Sequence, residues 1–387
     1  MKRKILFIIS NLQTGGVSKS ITSLLNVIDR ERYDVSLMLV SPTGIFQELL
    51  PEGLRVITNP VWTALTDRIG GARMLLALGH PLLAAGHLCR LGVSCFSKAW
   101  AGRMIAAMMP AIDEEFDAIV DFNGQQQLYY MVDNLKARKK VTFFHSDYEK
   151  WPFYYSADKK YFPKVDKILT ISDKCVKSLR HYFPDVVEKI ACMENINSLA
   201  LIKKMAEAPT EDFDTSKPSF LTIGHVSDLK GSHWAIEAAD ILRRRGVDFN
   251  WYFLGACDNI GHYKELVVKF HLENKIHFLG VKVNPYPYIN AATIIVHPSQ
   301  FEGKSIALDE ARLLCKPVVV TNFSTVGDQF TNRYDASICE MTPTSIADAI
   351  EELLQDTSLR QKYIDNLCQN CKDNSSEIEK LYAIFDN

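Results

Sequence analysis

The chain has no stretch that approaches the roughly 18 uninterrupted apolar residues of a membrane-spanning helix. After Met1-Lys2-Arg3-Lys4 the apolar run Ile5–Ile9 is too short for a signal-peptide core. It reads as the first buried strand of a cytoplasmic protein. Charge of one sign is also missing: 44 Lys and Arg against 46 Asp and Glu leave a formal net charge of −2, which excludes the strongly basic domain of a nucleic-acid binder. The nine cysteines are an odd number scattered over a long chain, which is no disulfide framework. Cys368 and Cys371 read as two helix residues one turn apart, with no second pair to complete a metal site. The dinucleotide fingerprint G-x-G-x-x-G is absent, and so is any internal repeat. Gly303-Lys304-Ser305 imitates the end of a Walker A motif, but Pro298 stands where that motif needs glycine.

What is present is a regular alternation of strand-like and helical runs, the pattern of α/β units built on parallel sheets. The first series has strands near Ile5–Ile9, Val35–Val40, Ala118–Asp121, Val141–Phe144 and Lys167–Thr170, with helices such as Val17–Ile28 and Asp173–His181. A second series has strands at Phe220–Ile223, Asn250–Leu254, Ile276–Leu279, Thr293–Val296 and Pro317–Val320. Its helices fall at Ser232–Arg245, His262–His271 and Ser305–Leu314. Between the two series, Glu207–Pro218 has two prolines, four acids and little apolar content, a linker composition. Two doubly wound, Rossmann-like domains are expected, 1–198 and 199–371, with the tail 372–387 returning to the first. In such sheets ligands bind beyond the carboxyl ends of the strands.

The residues just after each strand therefore matter most. Gly15-Gly16 follows the first strand and opens a helix, where backbone N–H groups suit an anion. His145 follows a later strand. Gly224-His225-Val226-Ser227-Asp228-Leu229-Lys230-Gly231 puts a cation at a helix start, suited to a diphosphate. Glu302 and Glu310 flank another helix start, with the N–H groups of Gly303, Lys304 and Ser305 open between them. At about 1.5 Å per residue the two carboxylates span roughly 10–12 Å, enough for a sugar and a ribose with a diphosphate between.

The combination of Gly15-Gly16, His145, Lys230-Gly231 and Glu302-x7-Glu310 resembles glycosyltransferase family 4, the retaining GT-B enzymes. Residues 301–322, with Leu308-Asp309-Glu310-Ala311 and Lys316-Pro317-Val318-Val319-Val320, are similar to members that build bacterial surface polysaccharides. The resemblance implies a GT-B fold with an acceptor-side first domain and a donor-binding second domain. It implies transfer, with retention and without a metal or other cofactor, of a hexosyl or N-acetylhexosaminyl group. The donor would be a nucleotide-diphosphate sugar, of UDP type, and the acceptor a saccharide or lipid-linked saccharide. By position, Gly15 and Gly16 would face the donor phosphates, His145 the donor sugar, Lys230 the diphosphate, Glu302 the sugar hydroxyls and Glu310 the ribose. The family commonly carries arginine where this chain has His225, so a second cation would depend on that histidine. The last helix, near Ser375–Phe385, is expected to cross back to the first domain. Two other readings remain open on the residues: an epimerase or phosphorylase of the same fold, and a non-catalytic sugar-nucleotide-binding scaffold.

The segment Arg68–Ile112 has five Lys or Arg and no Asp or Glu, with much Leu, Ala and Met besides Phe96 and Trp100. That composition fits an interfacial membrane helix, placing the protein peripherally on the inner face of the plasma membrane. It fits equally a helical insert packed on the first domain.

Overall fold

The computed structural model describes residues 2–13, 16–371 and 373–386. The chain forms two compact units. One holds the segment before residue 14, Val17–Ile196 and the chain from Ser376 onward; the other holds Asn197–Ser375.

The first unit is built on seven strands: β1 (Arg3–Ile9), β2 (Tyr33–Leu39), β3 (Arg55–Ile57), β4 (Glu115–Asp121), β5 (Lys136–Phe144), β6 (Lys167–Thr170) and β7 (Ile190–Cys192). Their order is β3-β2-β1-β4-β5-β6-β7, and every pairing is parallel. In β1, Leu6 and Ile8 enter the core on one face of the sheet, and Ile5, Phe7 and Ile9 the core on the other. Both faces are covered, which is why the strand reads as a continuous apolar run. The second unit holds β8 (Ser219–Ile223), β9 (Asn250–Leu254), β10 (Ile276–Gly280), β11 (Ile294–His297), β12 (Val318–Thr321) and β13 (Ser337–Cys339), ordered β10-β9-β8-β11-β12-β13. These pairings are also all parallel.

β3, β7 and β13 are edge strands of three residues each, too short to carry a periodic signal, and they add to the strands expected from the sequence. The helix Ile378–Asp386 joins the first unit: Ile378, Leu381, Tyr382 and Phe385 are buried in one of its cores, and Tyr382 stacks on Tyr33 at 5.1 Å. Arg3 and Arg32 both pair with Asp386 at the end of this helix.

The expectation for Cys368 is corrected. It bonds Cys315, 53 residues earlier, with the Cα atoms 5.3 Å apart. Cys315 takes a left-handed φ of 53° just past the helix Ile306–Leu313, which turns its thiol to the helix Thr357–Gln369. No helix among the described residues is long and apolar enough to cross a membrane.

Candidate functional site

The strand orders reverse direction at two places, between β1 and β4 and between β8 and β11. Ligands in open α/β sheets bind at such switch points, beyond the carboxyl ends of the strands. In the second unit, the loops after β8 and β11 are tied together there. The Gln300 N–H donates to the Leu229 carbonyl at 2.9 Å, and Gln300 Nε2 to the Asp228 carbonyl at 2.8 Å. Gly231 has a φ of 67°, and a Cβ on it would lie 1.9 Å from the Pro298 carbonyl oxygen. Only glycine permits both the conformation and the approach.

This junction brings Lys230 to Glu302. The Lys230 Nζ donates to Glu302 Oε1 at 2.6 Å, and His297 Nε2 donates to the same oxygen at 2.9 Å. Glu302 and His297 are both buried, and Lys230 is partly buried. Burial alone would raise the Glu302 pKa, but the His297 and Lys230 donors outweigh it and hold the carboxyl at about 2. The Glu302 carbonyl takes the Thr325 hydroxyl at 2.9 Å, which fixes the loop. His297 is a member of this cluster that the motifs do not mark. Its signal is a strand that runs one residue further than its apolar stretch.

Glu310 is not a solvated helix-face carboxylate. It is fully buried in the helix Ile306–Leu313, and the Tyr286 hydroxyl donates to its Oε1 at 3.0 Å. Gly303 and Lys304 are half-buried in the loop before this helix. The Ser305 N–H, expected to be open, is occupied. It donates to Gln329 Oε1 at 3.0 Å, while Gln329 Nε2 donates back to the Ser305 carbonyl at 2.8 Å and to Asp309 Oδ1 at 2.9 Å. A glutamine amide satisfies donor and acceptor at once, so Gln329 caps this helix start in place of a ligand. His225 is more than one-third exposed and faces a carboxylate, Asp258 Oδ2, at 3.1 Å.

Gly15 lies outside the described residues, and Gly16 is exposed at the start of the helix Gly16–Val27. At the end of β4, Asp121 is fully buried, which pushes its pKa up to about 7. It accepts from the N–H groups of Asn123 and Gly124 and from the Thr142 hydroxyl at 2.7 Å. That turn aims Asn123 Oδ1 at the Ser10 N–H, 2.6 Å away, and so joins the loops after β4 and β1. His145 follows β5. Its ring stacks on Phe143 at 4.9 Å and lies 4.9 Å from Phe122. Burial lowers its pKa to about 3, against a hydrogen bond with the Asn195 side chain that raises it. Asn195 Oδ1 also accepts from Ser20 Oγ at 2.7 Å, whereas His145 Nε2 is buried with no partner among the described residues.

The segment 68–112 folds as the helices Gly71–Ala77, Pro81–Ser94 and Lys98–Met108. Leu75, Ala84, Ala99 and Ile105 pack into the unit's core, while Ile69, Leu82 and Phe96 are almost fully exposed. Arg90, one of the five basic residues of the segment, does not face outward. It is buried and donates to the Leu65 carbonyl at 3.2 Å, beside His87.

Residues 204–369 match the family model described as "Glycosyl transferases group 1". An uncharacterised glycosyltransferase of Methanocaldococcus jannaschii is 25% identical over 171 residues, 43% of this chain and 42% of that protein. A capsular polysaccharide biosynthesis glycosyltransferase of Staphylococcus aureus is 26% identical over 171 residues, 42% of this chain and 45% of that protein. The chain thus spans less than half the length of these curated relatives. Anabaena HepE, solved in complex with UDP and glucose, aligns over 100% of both chains with a TM-score of 0.71 and 15% identity. The chain thus has the two-sheet GT-B fold of that solved structure, and its residues 204–369 are similar to the group 1 glycosyl transferases.

Proposed function

We propose that the protein transfers a hexosyl or N-acetylhexosaminyl group, with retention, from a UDP-sugar to a saccharide or lipid-linked saccharide in surface-polysaccharide synthesis. The observation that carries this reading is the cluster of Lys230, Glu302 and His297 at the switch point of the second sheet. The second unit is the donor-binding one in this reading. The Lys230 ammonium stabilises the charge that develops on the departing diphosphate, an electrostatic task for a fixed cation. Glu302 Oε1 is held by two donors, and the other carboxylate oxygen is left to accept from sugar hydroxyls. Glu310, positioned by Tyr286, accepts from the ribose. Backbone groups of Gly303 and Lys304 line the phosphate path. No protein nucleophile is needed, because the acceptor hydroxyl can attack on the face the phosphate leaves, and that phosphate can take its proton.

The protein acts at the inner membrane surface in this reading. Ile69, Leu82, Phe96 and Trp100 point outward beside the exposed Arg68, Arg73 and Lys98. The segment packs Leu75, Ala84, Ala99 and Ile105 inward yet leaves these other apolar residues outward, which suits contact with an anionic membrane interface. A reducing cytoplasm would tend to hold the Cys315–Cys368 pair open.

Thermal-shift and calorimetric titration with UDP, UDP-sugars and the other nucleoside diphosphates tests the donor reading. Selective stabilisation by a uridine nucleotide is expected. No stabilisation by any nucleotide would refute it. Incubation with acceptor, followed by NMR of the anomeric product, tests retention.

A further inference from the structure

His297 closes β11 after Ile294, Ile295 and Val296, all of them buried. An imidazole at such a position is costly unless it is hydrogen-bonded, and here its Nε2–H is directed at Glu302 Oε1, 2.9 Å away. The carboxylate therefore receives donors from two unlike elements. Lys230 reaches it on a long, partly exposed side chain from the loop after β8. His297 reaches it from the end of a paired strand, where Val296 and His297 are registered against Val319 and Val320 of β12. Phe323 packs edge-on to the imidazole with ring centroids 6.1 Å apart. Both donors take Oε1; among the described residues no protein donor is bonded to Oε2.

The two donors cannot keep the same partner throughout a reaction if Lys230 is the cation for a diphosphate. Its ammonium would then turn at least partly to the phosphate, and a buried carboxylate with no remaining donor would be free to rotate. We propose that His297 is a positioning residue for Glu302: it anchors Oε1 from the strand, so that Oε2 stays directed at a donor-sugar hydroxyl while Lys230 is engaged by the diphosphate. The inference rests on the reading of Glu302 and Lys230 as donor-site residues. It gives a chemical reason for a histidine in an otherwise apolar strand. The same bond contributes to holding the Glu302 carboxyl at about 2, so the residue stays ionised through the physiological range.

The test compares wild type with His297→Leu, His297→Asn and His297→Gln. Gln can place an amide N–H near the position of Nε2, whereas Asn is too short and Leu has no donor. The first readout is the ¹³C shift of the Glu302 carboxyl against pH in the free protein, which needs no ligand. Wild type and His297→Gln should show no titration above about pH 4. His297→Leu and His297→Asn should show a carboxyl that titrates measurably higher. The second readout is affinity for UDP-glucose and for UDP. Loss of a hydrogen bond to a charged group should weaken UDP-glucose binding by about tenfold or more in the Leu and Asn variants, with rescue by Gln. UDP, which lacks the sugar, should bind all four proteins alike. Should His297→Leu fail to fold, His297→Asn carries the comparison. An unchanged Glu302 titration in the Leu and Asn variants would overturn the inference, as would an equal loss of UDP and UDP-glucose affinity. Wild-type protein that binds neither ligand would instead sink the donor-site reading, while the carboxyl titration still reports on the His297–Glu302 pair.

Discussion

The Tyr286 hydroxyl donates to Glu310 Oε1 at 3.0 Å, across 24 residues of sequence and inside a fully buried environment. Tyr286 starts the helix Tyr286–Ala291, before β11, and Glu310 lies on the helix after it; both helices pack into the same core, where the tyrosine fixes the carboxylate. If Glu310 holds the ribose, Glu310→Gln should weaken UDP binding by about 1.5–3 kcal/mol while the fold survives. Tyr286→Phe should cost less, because it removes only the positioning bond. Calorimetry with UDP checks both. Unchanged affinity in Glu310→Gln would remove Glu310 from the site.

His145 should remain neutral far below the ordinary histidine range. Burial puts its folded pKa at about 3, whereas the unfolded chain takes up that proton near 6.5. Between those values the unfolded state binds more protons, so stability from this group is lost as pH falls from about 6.5 to about 3. Replacing the ring by His145→Phe should flatten that part of the stability curve, measured as urea midpoints against pH for the two proteins. Asn195→Asp would set an anion beside the ring and move its titration up, visible as a shifted imidazole resonance in NMR. Superimposable stability curves for wild type and His145→Phe would show that the histidine is not held neutral.

Transfer should not depend on a divalent metal. Lys230 is within 2.6 Å of Glu302 and supplies a cation at the proposed diphosphate site. Among the described residues no group of three His, Cys, Asp or Glu is arranged to hold a metal ion. Activity assayed in excess EDTA should match that of untreated protein. Activity lost to chelator and restored by Mn²⁺ would overturn this expectation.

The outward apolar face of the first unit should bind anionic vesicles. Flotation with acidic liposomes should fall in Phe96→Ser combined with Trp100→Ala, because apolar burial is lost, and also in Arg68→Glu combined with Lys98→Glu, because attraction is lost. Added salt should weaken binding of wild type. Arg90→Glu is expected to damage folding instead, since that side chain is buried against the Leu65 carbonyl. Flotation that is indifferent to both double variants would remove membrane contact from this face.

Much of this arrangement is legible in the sequence. Strands covered on both faces announce themselves as apolar runs, and the Lys230-Gly231 and Glu302 motifs fall on the two switch-point loops of the second sheet. What escapes a reading of the sequence is the relation between distant residues. Nothing near Ser305 says that Gln329, 24 residues on, occupies its N–H. Nothing near Cys368 names Cys315 as its partner. Composition puts Arg90 among basic residues but cannot tell a buried guanidinium from an exposed one. His297 has the polar character of a loop residue, although the strand's hydrogen bonds continue through it.

The helix Ile378–Asp386 gives the two units different birth orders from their positions in the chain. A ribosome that has made Ile196 has supplied all seven strands of the first sheet, yet the helix whose residues bury Tyr33 and pair with Arg32 begins only 182 codons later, at Ile378. At roughly 5–20 residues per second that interval is about 9–36 s. During it the second unit is synthesised as far as Ser375, while the first waits with an apolar flank uncovered around Tyr33. The unit encoded first is therefore the one completed last.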